Sequence, residues 1–176
     1  MEELRHLRRW AAVLRVLTIV AMVILVLALV YGILFAVLPD GLRRAARLVP
    51  ETSLSGPHRA AVALVGAVPG FAMLYVLGRM ADLFGLYAGG EALSPACARN
   101  IQRIGVGLLA AVALELVARP AQIALVSLAN PPGQRVLSIS FEGADLGQIL
   151  AAGLLITIGW TQREAARIAR ENEGFV

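Results

Sequence analysis

One stretch of this chain carries ionisable side chains inside an otherwise apolar run. Glu115 and Arg119 stand one helical turn apart and Gln122 follows about a turn later, so a helix would present all three on one face. Residues 104–114 before them and 123–129 after them are apolar. A charge in such surroundings costs several kcal/mol unless it is paired or hydrated, so this stripe must face other helices or a water-filled cavity. A carboxylate and a guanidinium placed there can hold a proton, an ion or a small polar solute. They can also neutralise each other and fix helix packing, or Arg119 can snorkel to the surface. Pro120 leaves the carbonyl of Leu116 without its amide donor, which adds a free acceptor to the same region.

No other grouping offers chemistry. His6 and His58 lie far apart with no nucleophile or carboxylate cluster beside them, and the single cysteine, Cys97, reads as a buried or interfacial thiol. The expectation is a non-enzymatic protein with no cofactor and no metal site. The 16 basic residues are all arginines, spread through the joints between apolar runs. They form no continuous basic stripe, which argues against direct nucleic-acid binding and for anchoring helix ends to lipid headgroups.

The elements that must position the stripe follow from hydropathy. With 59% hydrophobic residues and a mean hydropathy of +0.75, the chain exceeds what a water-soluble core requires. Residues 16–38 are 23 consecutive uncharged positions, enough to cross a hydrocarbon core of about 30 Å as a helix. The run is too long for a signal peptide and no small-residue cleavage site follows it. Further spans are expected at 60–78, 104–129 and 146–162. The reading is therefore an all-α polytopic membrane protein, one domain over 1–176: a four-helix transmembrane bundle with a cytoplasmic helical elbow at 79–103 and a tail at 163–176. Arginine counts in the flanks, ten on the side of both termini against five on the other, place both ends in the cytoplasm. The three arginines at 43, 44 and 47 oppose that bias, and an amphipathic helix on the outer surface would accommodate them.

Small residues mark candidate packing surfaces. Gly66 and Gly70, with Pro69 between them, permit close helix contact in the second span or mark a kink there. Gly153, Thr157 and Thr161 recur every fourth residue in the last span, which suits helix contact more than substrate lining, because membrane threonines usually bond to their own backbone. The elbow gathers Leu83, Phe84, Leu86 and Tyr87, and the tail carries Arg163, Arg167 and Arg170 on one face. A partner could read either; lipid alone could also cover them.

The segment 83–90, LFGLYAGG, the Ser94-Pro95 helix start, the ISFEGADL entry to the last span and the Glu-Asn-Glu ending at 171–173 resemble the bacterial membrane family termed domain of unknown function 2975. The resemblance runs from about the second span to the end of the chain. Gly85 in the elbow and Gly174-Phe175 at the tail depart from its pattern. It implies a small four-span protein of the bacterial cytoplasmic membrane, often encoded beside a small helix-turn-helix regulator. That neighbour makes the leading expectation a regulatory or sensing component, with the elbow and tail as contact surface. The alternative is a carrier subunit for a proton, ion or solute lined by Glu115, Arg119 and Gln122, which with only four spans would act as a homo-oligomer.

Overall fold

The computed structural model describes residues 2–37, 55–91, 94–128, 135 and 137–173, with the backbone alone at 2–5, 7, 37 and 169–173. The proposed surface helix around Arg43, Arg44 and Arg47, and the side chain of Arg170, lie outside the described residues. Four helices follow one another: α1 Glu2–Val37, α2 Gly56–Gly89, α3 Pro95–Ser127 and α4 Gly143–Glu173. All four are long and apolar enough to cross a membrane, the pattern of a multi-pass membrane protein. Helices α1 and α4 overrun their uncharged spans into arginine-bearing turns that water can solvate.

The helices alternate in direction. Each packs on its neighbour in sequence, and among the described residues no other pair of helices brings Cα atoms within 8 Å. The assembly is therefore left open between α1 and α4. One end, the terminal face, carries the start of α1, the end of α4 and the facing ends of α2 and α3; the opposite end is the loop face.

The turn between α2 and α3 is closed by a glycine at one end and by a serine cap at the other. Gly90 takes φ 89°, a left-handed conformation that glycine adopts without penalty, and the amide of Glu91 donates to Leu86 O at 3.0 Å, which ends α2. Ser94 Oγ accepts from the amide of Cys97 at 3.3 Å, with Pro95 in the first turn, which starts α3. The Cys97 thiol is fully buried and donates to Glu91 O at 3.0 Å. Beside it Val76, Leu83, Ile101 and Ile104 form the apolar core, with Leu86 and Tyr87 packed against them. Both internal prolines, Pro69 and Pro120, sit within unbroken helices. Helix α3 thus runs through Pro120 without interruption.

Glycines set the closest approaches. A Cβ on Gly105 would lie 2.8 Å from Ala152 O and 2.9 Å from the amide nitrogen of Ile156, and one on Gly159 would lie 2.8 Å from the amide nitrogen of Gln102. Backbone meets backbone there, so the α3–α4 seam is tight through the half of the molecule nearer the terminal face.

Candidate functional site

Toward the loop face the same helices separate. A cleft of ≈ 250 Å³ opens between α2, α3 and α4, with Gly66, Pro69 and Gly70 on one wall, Glu115, Arg119 and Gln122 on another and Gln148 of α4 on the third. The three residues of the sequence stripe therefore share one cavity. Arg119 is its hub. Its Nη2 donates to Glu115 Oε1 at 2.8 Å and to Asp145 Oδ1 at 3.4 Å, while its Nη1 donates to Glu142 Oε1 at 3.1 Å and to Asp145 Oδ2 at 3.4 Å. The Arg119 side chain is 25% exposed and that of Asp145 4%.

Asp145 has a second duty. Its Oδ2 accepts from the amide of Glu142 at 2.8 Å, and its own amide donates to Glu142 O at 3.0 Å. This reciprocal pair closes the first turn of α4, as the third helical residue does in a capping box. One carboxylate therefore both starts α4 and ties it to α3. Reasoning from the sequence missed Glu142 and Asp145, because they sit at a helix start 23 or more residues from Arg119. The signal was present in Glu142-Gly-Ala-Asp145, an acidic residue three positions into an apolar helix.

Gln122 reaches the other way. Its Nε2 donates to Val62 O of α2 at 3.1 Å. A Cβ on Gly66 would collide with that amide, whereas a Cβ on Gly70 would lie 2.7 Å from Leu29 of α1. Gly66 thus makes room for a polar side chain and Gly70 for an apolar one. Gln148 has no hydrogen-bond partner among the described residues.

Depth follows from the register. Arg103, the last basic residue before the apolar part of α3, lies 12 residues from Glu115, about 18 Å along the axis. On the loop face Arg59 caps α1 by donating to Ala36 O at 3.4 Å, and Gln122 contacts Val62 about one turn inward from it. In a hydrocarbon core of about 30 Å this register would set Glu115 near mid-thickness, with Arg119 about a turn nearer the loop face. The cluster places three carboxylates around one guanidinium among the described residues. Among those residues no three His, Cys, Asp or Glu side chains are arranged to hold a metal ion.

The remaining sequence candidates fall elsewhere. Gly153 has no atom within 4 Å of where its Cβ would sit, and Thr157 and Thr161 are exposed, donating back to Gly153 O at 2.9 Å and Ile158 O at 2.9 Å. The helix contact expected of them is made within this chain by Ala152, Ile156 and Gly159 instead. Leu83 is buried in the core and Phe84, Leu86 and Tyr87 are half-buried. Leu83, Leu86 and Tyr87 are engaged in α2–α3 packing. At the tail, Arg163 donates to Gln102 Oε1 at 3.1 Å and Arg167 pairs with Glu164.

No protein-family model, curated protein or solved structure matches the chain.

Proposed function

We propose that this protein is a non-enzymatic sensing component of the bacterial cytoplasmic membrane, in which the cleft beside Glu115 and Arg119 takes up a small cationic or hydrogen-bonding solute from the loop face. The observation that carries this reading is the charge gathered at Arg119 on the cleft wall: one guanidinium against Glu115, which also lines the cleft, and against Glu142 and Asp145 beside it, with the Gln148 side chain lacking a partner among the described residues. An excess of carboxylate in a partly dry site attracts a cation. Occupancy would compete for Arg119's partners and so alter how Asp145 holds α4 on α3. Helix α4 runs from that contact to the tail on the other side, which gives a mechanical path to the terminal face.

The tight α3–α4 seam supports sensing over the carrier alternative. Below the cleft, Gly105 and Gly159 bring backbones together and leave no continuation toward the terminal face along that seam. The family resemblance supplies the output in this proposal: a small helix-turn-helix regulator held at a cytoplasmic terminal face, where Arg163 and Arg167 are exposed. Retention of such a regulator on the purified membrane protein tests that part, and its loss in a variant truncated after Arg163 is the expected result.

The solute site is tested with Trp160, which sits on α4 near the terminal face. In a Trp10→Phe background it is the sole tryptophan. Guanidinium and methylammonium, with urea as the neutral control, are titrated into protein reconstituted in vesicles. A saturable change in Trp160 emission with the cations alone, abolished in Glu115→Gln and unaccompanied by flux, is expected. No cation-dependent change overturns the reading, and Glu115-dependent flux replaces it with the carrier.

A further inference from the structure

The terminal face holds a second cleft, remote from the Arg119 cluster. Its volume is ≈ 470 Å³, and Arg15 of α1, Arg79 of α2 and Arg99, Asn100 and Arg103 of α3 line it. Arg79 is neutralised by Asp82 at 3.2 Å and lies over the ring of Tyr75 at 5.2 Å. Arg15, Arg99 and Arg103 have no ion-pair or hydrogen-bond partner among the described residues. Helices α1 and α3 therefore bring three uncompensated guanidiniums to one cleft.

A second feature points to a ligand independently. Asn100 is only 9% exposed, lines the same cleft, and its side-chain amide finds no partner among the described residues. A buried amide left unpaired costs about 1–3 kcal/mol, so such groups normally meet a water, an ion or a ligand. Gly85 shapes the opposite wall: the Arg15 guanidinium carbon lies 3.4 Å from where a Cβ would be, so a side chain longer than alanine would displace it.

The level of the cleft identifies the anion. Arg15, Arg79 and Arg103 are each the basic residue bordering an uncharged stretch of their helix, which sets them at the boundary between hydrocarbon and headgroups. Basic pockets between membrane helices at that depth hold phosphate headgroups. We propose that this cleft binds the phosphodiester of an anionic phospholipid, with Arg15, Arg99 and Arg103 supplying charge and Asn100 a fixed hydrogen bond. Three free guanidiniums exceed one phosphodiester, so the two-phosphate lipid cardiolipin binds more tightly than phosphatidylglycerol, and phosphatidylcholine least. The inference rests only on the four helices crossing a bilayer and is independent of the solute cleft.

The test uses the full chain and native mass spectrometry with added cardiolipin, phosphatidylglycerol, phosphatidylcholine or inorganic phosphate. Cardiolipin is retained preferentially, and Arg99→Gln or Arg103→Gln weakens its retention about five-fold or more. Asn100→Ala weakens it too, while Glu115→Gln leaves it unchanged. Protection of the buried Cys97 thiol confirms that each variant is folded, and Arg15→Gln replaces any that is not. Equal retention of phosphatidylcholine, unchanged affinity in the folded arginine and Asn100 variants, or inorganic phosphate binding as tightly as the lipid would each overturn the proposal.

Discussion

Replacing either of two glycines by alanine should give opposite results, and the register of α3 on α4 decides which. At Gly105 the new Cβ would stand 2.8 Å from Ala152 O and 2.9 Å from the Ile156 amide nitrogen, both backbone atoms that no rotamer change can move. Ordinary contact begins near 3.4 Å, so the helices must part by about 0.6 Å, and a gap of that size forfeits a quarter or more of each local dispersion contact. Overpacking of this kind costs about 1–3 kcal/mol. Alanine recovers up to about 1 kcal/mol of backbone entropy and helix propensity. The net expectation for Gly105→Ala is a loss of about 1–2 kcal/mol. At Gly153 nothing lies within 4 Å, so only the favourable part remains and Gly153→Ala is neutral or up to about 1 kcal/mol more stable. The chain supplies its own reporter: Cys97 is the single cysteine and is fully buried, so a thiol-reactive fluorogenic dye labels it only on unfolding. Melting curves in detergent should rank Gly153→Ala at or above the parent and Gly105→Ala below it. The reverse order would refute the seam assigned to Gly105 and return the packing face of α4 to Gly153, Thr157 and Thr161.

The same dye assay checks three further expectations. Asp145→Ala removes the bond that closes the first turn of α4 and should cost about 1 kcal/mol or more, whereas Asp145→Asn keeps an acceptor for the Glu142 amide and should lose less. Gly66→Ala should cost about 1 kcal/mol, because it expels the Gln122 amide from Val62 O, and in a Gln122→Leu background that cost should vanish; equal costs in both backgrounds would contradict the pairing. Gly90→Ala should lower stability by about 1 kcal/mol, through the left-handed φ of 89° and a clash with Arg8.

What the sequence made legible was governed by local rules. Hydropathy located all four helices, the Ser94-Pro95 pair opens α3, and the Glu115–Arg119 spacing yields a 2.8 Å ion pair. Each depends on residues within a few positions of one another. What it could not supply was rotation and partner choice between helices. In a span that is apolar all round, pattern does not say which side meets a neighbour, so the regular Gly153–Thr157–Thr161 series attracted attention while Ala152, Ile156 and Gly159 make the contact. Likewise Arg119 shows one acidic partner locally but gathers two more, Asp145 in the first turn of α4 and Glu142 just before it, and the amide that occupies the space beside Gly66 comes from residue 122.

The position of the α4 start explains why the Arg119 cluster can exist at all. Arg119 meets Glu142, immediately before α4 begins, yet α3 continues for eight residues beyond Arg119, about 12 Å further toward the loop face. Helix α4 therefore begins short of the surface that α3 reaches, and the chain leading to it at 137–142 is neither helix nor strand. Backbone without internal hydrogen bonds is tolerated at membrane depth only where protein or water satisfies it. Here one amide of that segment, Glu142's, is satisfied by Asp145, and Leu137, Ile139 and Phe141 alternate with Ser138 and Ser140 in an exposed stretch. A full-length α4 would have filled this space with apolar side chains and buried Arg119 among them. Its late start instead leaves an entry from the loop face to four charged groups, and the tight glycine seam beneath them marks where that entry stops.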